Sequence, residues 1–339
     1  MKKSILVICT IAIAVIYSCE KDDKGSDFSQ VTVSMEANSA SDVYFSLANG
    51  TMNTVNRSDW DIAFSAAQQS ATVLINEGAG VELYCVGDSN AWGSIDENTI
   101  SGLKPRYNDK SGWSTGAFNR NNDTTDPFNF GWGHYNMEDH NVYGDSIHVI
   151  KLTDGTYKKF FYKFRIGSTA AHHLRWANLD GSGEVNTTVD ASSYIGTRNF
   201  VHYSLVNQEV IEAEPPVDQW DLLFTRYIIQ IPAGPGMIMD YPVMGVLSNN
   251  GVSVAKISGV PAEQAIDQVS SPGFTGYSEL ADAIGYDWKE SDPITHEISL
   301  VDSLSYFVKS VNGKKYHLYF TNYGGMTAGT IDLKIKTVE

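Results

Sequence analysis

Short runs that alternate apolar and polar or small side chains recur along most of the chain. Two clear examples are 43–47 and 201–205. A period of two residues is typical of β-strands. Patterns that fit a helix are sparse, and the best candidate is 277–284, with Ser278 as its cap. The pattern therefore predicts an all-β protein with little helix, built as antiparallel β-sandwiches or open barrels.

Two Trp-Asp pairs mark an internal duplication. Each pair follows a strand-like run at a similar distance, one at 60–61 and the other at 220–221. A Trp on a half-buried strand usually fills the core, and the next residue points to the opposite face. We therefore interpret Asp61 and Asp221 as structural residues and keep a catalytic role as the alternative.

Each repeat also closes with a hairpin signal. Asp154-Gly155 and Asn312-Gly313 lie between alternating runs, which predicts a two-residue turn at each place. A turn-rich stretch near residue 180 is where the pattern restarts. The sequence thus predicts two tandem β domains, 31–180 and 181–339.

The N-terminus has the pattern of an export signal. Two lysines precede an apolar run that is short for a membrane span. The run ends at Cys19 with a small residue before it, as in a bacterial lipobox. We expect 1–18 to be a signal peptide, Cys19 to carry lipid and 19–30 to be a tether. An ordinary cleaved signal is the alternative.

The residues after Cys19 and the remaining cysteines add two expectations. Lys21-Asp22-Asp23 resembles a surface-export signal of Gram-negative lipoproteins, which places the protein on the outer membrane facing outwards. Cys9 leaves with the signal and Cys19 takes lipid. Only Cys85 then remains, so the mature chain forms no intramolecular disulfide.

Composition narrows the class of partner. The chain has 339 residues, 40 acidic against 24 basic, and a formal charge of −16. Nucleic-acid binding needs a basic face, so no nucleic-acid partner is expected. A hydrophobic share of 42% is enough for packed cores.

The order of these elements, found twice, resembles the HmuY-like family of haem-binding lipoproteins. The resemblance rests on the lipobox, the Tyr-Phe-Ser strand at 44–46, the Trp-Asp strand and the terminal Asp-Gly or Asn-Gly hairpin. It covers nearly all of the mature chain. It implies an all-β domain that binds haem and passes it to an outer-membrane TonB-dependent receptor.

The same resemblance implies iron ligands between a Trp and the terminal hairpin. In the first repeat these candidates are His134, Met137 and His140, which follow Trp132, and in the second repeat the candidate is His296. The haem slot would be lined by aromatic side chains: Phe128, Phe130, Trp132 and Tyr135. Haem needs an apolar slot and axial ligands of these types. The alternative is a Gly-rich surface loop with incidental histidines.

Common zinc-hydrolase and dithiol motifs are absent from the sequence. It contains no His-Glu-x-x-His and no Cys-x-x-Cys. We therefore expect a binding protein and not an enzyme. The second hypothesis is a structural or glycan-binding surface lipoprotein, with Trp92, Trp113 and Trp132 stacking on sugar rings.

Overall fold

The computed structural model describes residues 28–123, 125–270, 273–292, 295 and 297–338. The signal peptide, Cys19 and most of the tether lie outside this range. The described part is mostly β, which confirms the predicted class, and none of its sheets closes into a barrel. The predicted helix at 277–284 is wrong. Those residues form turns and one β-bridge, in which Ser278 pairs with Val254.

The first half of the chain contributes eleven of the described strands. They are β1 (Ser29–Ser34), β2 (Ser41–Phe45), β3 (Met52–Asn56), β4 (Ile62–Ser65), β5 (Val73–Ile75), β6 (Glu82–Asp88), β7 (Gly133–Tyr135), β8 (Asn141–Gly144), β9 (Ser146–Lys151), β10 (Tyr157–Ile166) and β11 (Ala171–Asn178). The one described α-helix of this half is α1 (Glu97–Ile100), a single turn.

The second half repeats this order. Its strands are β12 (Val185–Asp190), β13 (Phe200–Ser204), β14 (Glu209–Ile211), β15 (Leu222–Gly234), β16 (Met237–Ser248), β17 (Ser253–Ser258), β18 (Lys289–Ser291), β19 (Ile298–Leu300), β20 (Leu304–Lys309), β21 (Lys315–Tyr323) and β22 (Thr330–Val338). Two single-turn helices, α2 (Ile266–Val269) and α3 (Gly325–Ala328), complete it.

Every strand pairing in the described part of the chain is antiparallel, and four sheets carry the fold there. Their orders are β1-β22-β21-β20-β17, β12-β11-β10-β8-β7 with β9 joining β10 to β6, β14-β13-β4-β5, and β16-β15-β2-β3. A fifth sheet pairs β18 with β19. The predicted hairpins at Gly155 and Gly313 are present, and both glycines have a positive φ. Pairing starts at Lys151–Tyr157 and Lys309–Lys315, so the loops are longer than two residues.

The pairing exchanges strands between the two repeats. The opening strands of the second repeat join the first, since β12 pairs with β11 and β13 with β4. The opening strands of the first repeat join the second in the same way, since β1 pairs with β22 and β2 with β15. We call β4–β14 the first module, and β1–β3 with β15–β22 the second module.

A short connection explains this exchange. Only 179–184 separates β11 from β12, so the chain turns back and pairs at once, as consecutive antiparallel strands usually do. The second repeat therefore begins on the sheet of the first. At the other end of the chain the last strand, β22, pairs with the first strand, β1. The predicted division near residue 180 stays a prediction about the repeat, and the sheets do not follow it.

Each module has its own apolar core. The first includes Phe64, Trp132, Tyr162 and Val201, and the second includes Phe45, Phe224 and Trp288. Burying one such side chain stabilises the fold by roughly 1.5–3 kcal/mol. Both cores draw on both repeats, so neither repeat completes a core alone.

Candidate functional site

The predicted ligand segment forms the β7–β8 hairpin at the edge of the first module. Gly131 precedes it with a φ of +84°, and a Cβ there would meet the backbone of Asn119 at 2.8 Å. Only glycine fits this position. The turn from β7 to β8 is closed by the His140 N–H, which donates to the Asn136 carbonyl at 2.9 Å. This frame fixes which way the candidate side chains point.

His134 is half-exposed and held by a carboxylate. Its Nδ1 lies 2.7 Å from Asp145 Oδ2, and its Nε2 lies 3.7 Å from Asp126 Oδ2. A histidine that ligates a metal almost always bonds an oxygen acceptor through its other nitrogen, which fixes the ring and its tautomer. The His134–Asp145 pair has this form. Sequence reasoning found His134 and missed Asp126 and Asp145, whose contacts depend on the hairpin register.

Tyr135 and His140 form a second pair on this hairpin. The Tyr135 hydroxyl lies 2.6 Å from His140 Nδ1, and the Tyr135 ring stacks on Phe128 at 5.9 Å. Neighbouring residues of a strand point to opposite faces, so Tyr135 and His134 face different sides of β7. The structure therefore brings Tyr135 and His140 together and places His134 apart from them.

Met137 is exposed to solvent, whereas Trp132 is buried in the core. Met137 occupies the turn and is 67% exposed. Trp132 is fully buried, stacks on Tyr162 at 3.8 Å and donates from Nε1 to the Ala71 carbonyl at 2.9 Å. The expectation that Trp132 lines an open slot is wrong, because its ring fills the core. Phe128, which is 38% exposed, and Tyr135 remain as aromatic surface.

The second repeat offers fewer candidates. His296 lies outside the described residues. Trp288 is buried and stacks on Phe320 at 4.1 Å, as a core residue does. Among the residues that the structure describes, no three His, Cys, Asp or Glu side chains gather as a metal-binding group. In the same part of the chain, no helix is long and apolar enough to cross a membrane.

The tryptophans proposed as sugar platforms differ in exposure. Trp132 is in the core and cannot stack on a sugar. Trp92 and Trp113 are half-buried. The Arg175 guanidinium lies 4.1 Å from the Trp92 ring centre, and Trp113 donates from Nε1 to the Ser248 carbonyl at 2.8 Å.

Comparisons with known proteins give a weak resemblance in fold. No protein-family model and no curated protein matches the chain. Apo PinO from Porphyromonas gingivitis is similar over 93% of this chain and 99% of its own, at 9% identity and a TM-score of 0.29. A HmuY-like haem-binding protein from Bacteroides vulgatus ATCC 8482 is similar over 50% and 92%, at 15% identity and a TM-score of 0.26.

Proposed function

We propose that this protein is a non-enzymatic haem-binding lipoprotein. In this proposal Cys19 anchors it to the outer membrane, it faces the cell surface, and it passes haem to a TonB-dependent receptor. The observation that carries the proposal is the His134–Asp145 pair at 2.7 Å. It supports a role for His134 Nε2 as an iron ligand, with haem as the cargo.

The donor chemistry of the hairpin suits haem iron. Haem proteins ligate iron through His, Met or Tyr, and the hairpin holds all three types in His134, Met137 and Tyr135. A hydrogen bond to a carboxylate raises the basicity of an imidazole ligand. Tyr143 pairs with His134 across the hairpin, so its exposed ring supplies aromatic surface on the His134 face, whereas Phe128 and Tyr135 lie on the other face.

The charge of the protein opposes haem capture at long range. Removing residues 1–18 takes away Lys2 and Lys3, which leaves 40 acidic and 22 basic residues, or −18. A dianionic haem is repelled by this field, so binding must come from local contacts. Iron ligation by His134 supplies a contact of that kind.

A haemin titration of the mature chain without its lipid tests the proposal. We expect a saturable change in the Soret band at one haem per chain. A thioether-type spectrum would assign Met137 as a ligand. The absence of a saturable change would overturn the proposal and leave the structural or glycan-binding alternative.

The anchor has its own test. Cells grown with labelled palmitate should incorporate the label into the wild-type protein and not into Cys19→Ser. Protease added to intact cells should then remove the wild-type protein from the surface. Label in the Cys19→Ser variant, or full protection from the protease, would contradict the proposed anchor or its outward orientation.

A further inference from the structure

A cavity of about 80 Å³ lies between the two modules, and both modules line it. Its aromatic walls are Tyr44, Trp60, Trp113, Phe200, Trp220 and Tyr227. Two of the contacts repeat across the duplication. Tyr44 packs edge-on against Trp220 at 5.0 Å, and His202 packs edge-on against Trp60 at 4.6 Å. The cavity is therefore built by the strand exchange.

Glu214 is the lining carboxylate that forms no ion pair with the described residues, and the charge of Arg198 acts on it only from beyond salt-bridge distance. It is 3% exposed, and its oxygens accept hydrogen bonds from the backbone N–H groups of Asn199 and Phe200 and from the Asn199 side chain. Among the described residues, no Lys, Arg or His nitrogen lies within salt-bridge distance of it. Arg198 instead pairs with Glu212 at 3.1 Å.

The other acidic side chains of the cavity are paired. Asp42 lies 2.9 Å from Arg57, Glu77 lies 2.6 Å from Lys110, and Asp109 lies 3.9 Å from Arg120. Buried carboxylates are rarely left without a counter-ion, since desolvation of the charge is costly. Burial accordingly raises the pKa of Glu214 to about 7. A bound cation would supply the missing charge.

We propose that this cavity binds a small quaternary ammonium compound, with Glu214 as its counter-ion and the rings of Tyr44, Trp60 and Trp220 as its walls. Aromatic faces attract such cations. Glu214 already accepts three N–H hydrogen bonds, which favours a cation that has no N–H to donate.

A second cavity borders this site. It has a volume of about 190 Å³ and shares Lys110 and Tyr227 with the first. Tyr286 and Asp287, which also line it, are exposed. In this proposal the rest of the ligand lies towards this second cavity.

Choline and its uncharged isostere 3,3-dimethylbutan-1-ol test the charge requirement. We expect choline to bind the mature chain saturably by calorimetry and to quench tryptophan fluorescence, and the isostere to bind at least about tenfold more weakly. No saturable choline binding, or equal affinities for the two compounds, would overturn the proposal. Haemin plays no part in this experiment, so its result is independent of the proposed function.

The pH dependence of choline affinity is a second test of the role of Glu214. Choline affinity should rise between about pH 5.5 and 8.5, because the ionised form of Glu214 attracts it. Asp42, Glu77, Asp109, Lys110 and Arg226 are the other charged groups that line the cavity, and Arg198 acts on Glu214 from outside it, where its charge lowers the pKa of the carboxyl. Burial lowers the pKa of His202 to about 3, so that ring stays neutral over this range. An affinity independent of pH would contradict the role of Glu214.

Variants locate the site. Glu214→Gln should weaken choline binding about tenfold or more, and Glu209→Gln, at an exposed glutamate nearby in the sequence, should not. Trp113→Leu should also weaken it, because this ring contacts both Phe200 and Trp220. If Glu214→Gln fails to fold, the proposal is tested on the wild-type chain by the comparison of choline with its isostere and by the pH dependence of choline affinity. Unchanged choline affinity in a folded Glu214→Gln variant would overturn the assignment.

Discussion

The Asp221 carboxylate accepts a hydrogen bond from the backbone N–H of Leu47 at 2.7 Å, across 174 positions of the chain. Asp61 does the same for Leu205, also at 2.7 Å. The two Trp-Asp pairs thus hold the exchanged strands, each repeat binding the opening strands of the other. This supports the structural interpretation of both aspartates. It also makes the two repeats depend on each other for stability.

Removing the Asp221 carboxylate should destabilise the fold. Its Oδ1 also accepts from the Val311 N–H at 3.0 Å, so Asp221→Ala leaves two N–H groups without their partner. Such losses cost about 1–3 kcal/mol each, and we expect a decrease of about 2–4 kcal/mol in the free energy of unfolding. Urea denaturation measures it. The exposed Asp218→Ala serves as control, and equal stability of the two variants would contradict this role.

The two repeats should assemble when they are made as separate chains. Chains 28–180 and 181–339 each carry opening strands whose partners belong to the other chain. Co-expression should give a stable one-to-one complex in gel filtration, because β1–β22 and β11–β12 both cross the cut. Two monomers that unfold cooperatively and do not associate would contradict the strand exchange.

Acid should weaken the first module through His148. This ring is fully buried, and both its nitrogens lack a partner among the described residues. Desolvation, with Arg106 adding to it, lowers the pKa of His148 to about 3. Below about pH 6.5 the His148 ring therefore binds a proton in the unfolded chain but not in the folded chain. The contribution of His148 to stability is fully present above that pH and is lost as the pH falls.

Comparison with His148→Leu isolates this effect. The free energy of unfolding of the variant, minus that of the wild type, should rise by on the order of 2–3 kcal/mol when the pH is lowered from about 7.5 to 4.5. Other buried histidines titrate in both proteins and cancel in the difference. Urea titrations at the two pH values measure it, and a difference that does not change with pH would refute the assignment.

Neutralising Asp126 should strengthen haem binding. Its carboxylate lies 3.7 Å from His134 Nε2, where it repels the propionates of haem. Asp126→Asn keeps an oxygen acceptor for the Phe128 N–H and removes the charge. We expect haemin affinity to rise about two- to fivefold, with a similar trend for the wild type at high salt. Asp123→Asn in the same loop is the control, and an unchanged affinity in Asp126→Asn would place haem elsewhere.

Features that depend on local sequence patterns were predicted correctly more often than features that depend on long-range contacts. Alternation and the glycines at 155 and 313 identified the class and two hairpins, because strand period and left-handed turns depend on neighbours in sequence. The burial of Trp132 depends on Tyr162 and Ala71, which only the folded sheet brings near. The contact between His134 and Asp145 likewise depends on the β7–β8 register. The pairing of β12 with β11 follows from a short connection, and β1 pairs with β22 from the opposite end of the chain. No periodicity in the sequence reveals either partner.

The haemin dissociation constant of His134→Ala, compared with wild type by Soret titration, tests the central claim most directly. His173→Gln, at a half-buried histidine of the same sheet, is the matched control. If His134 is the iron ligand, His134→Ala should lose at least about tenfold in affinity, while His173→Gln stays close to wild type. Equal affinities of His134→Ala and wild type would contradict the proposed haem site.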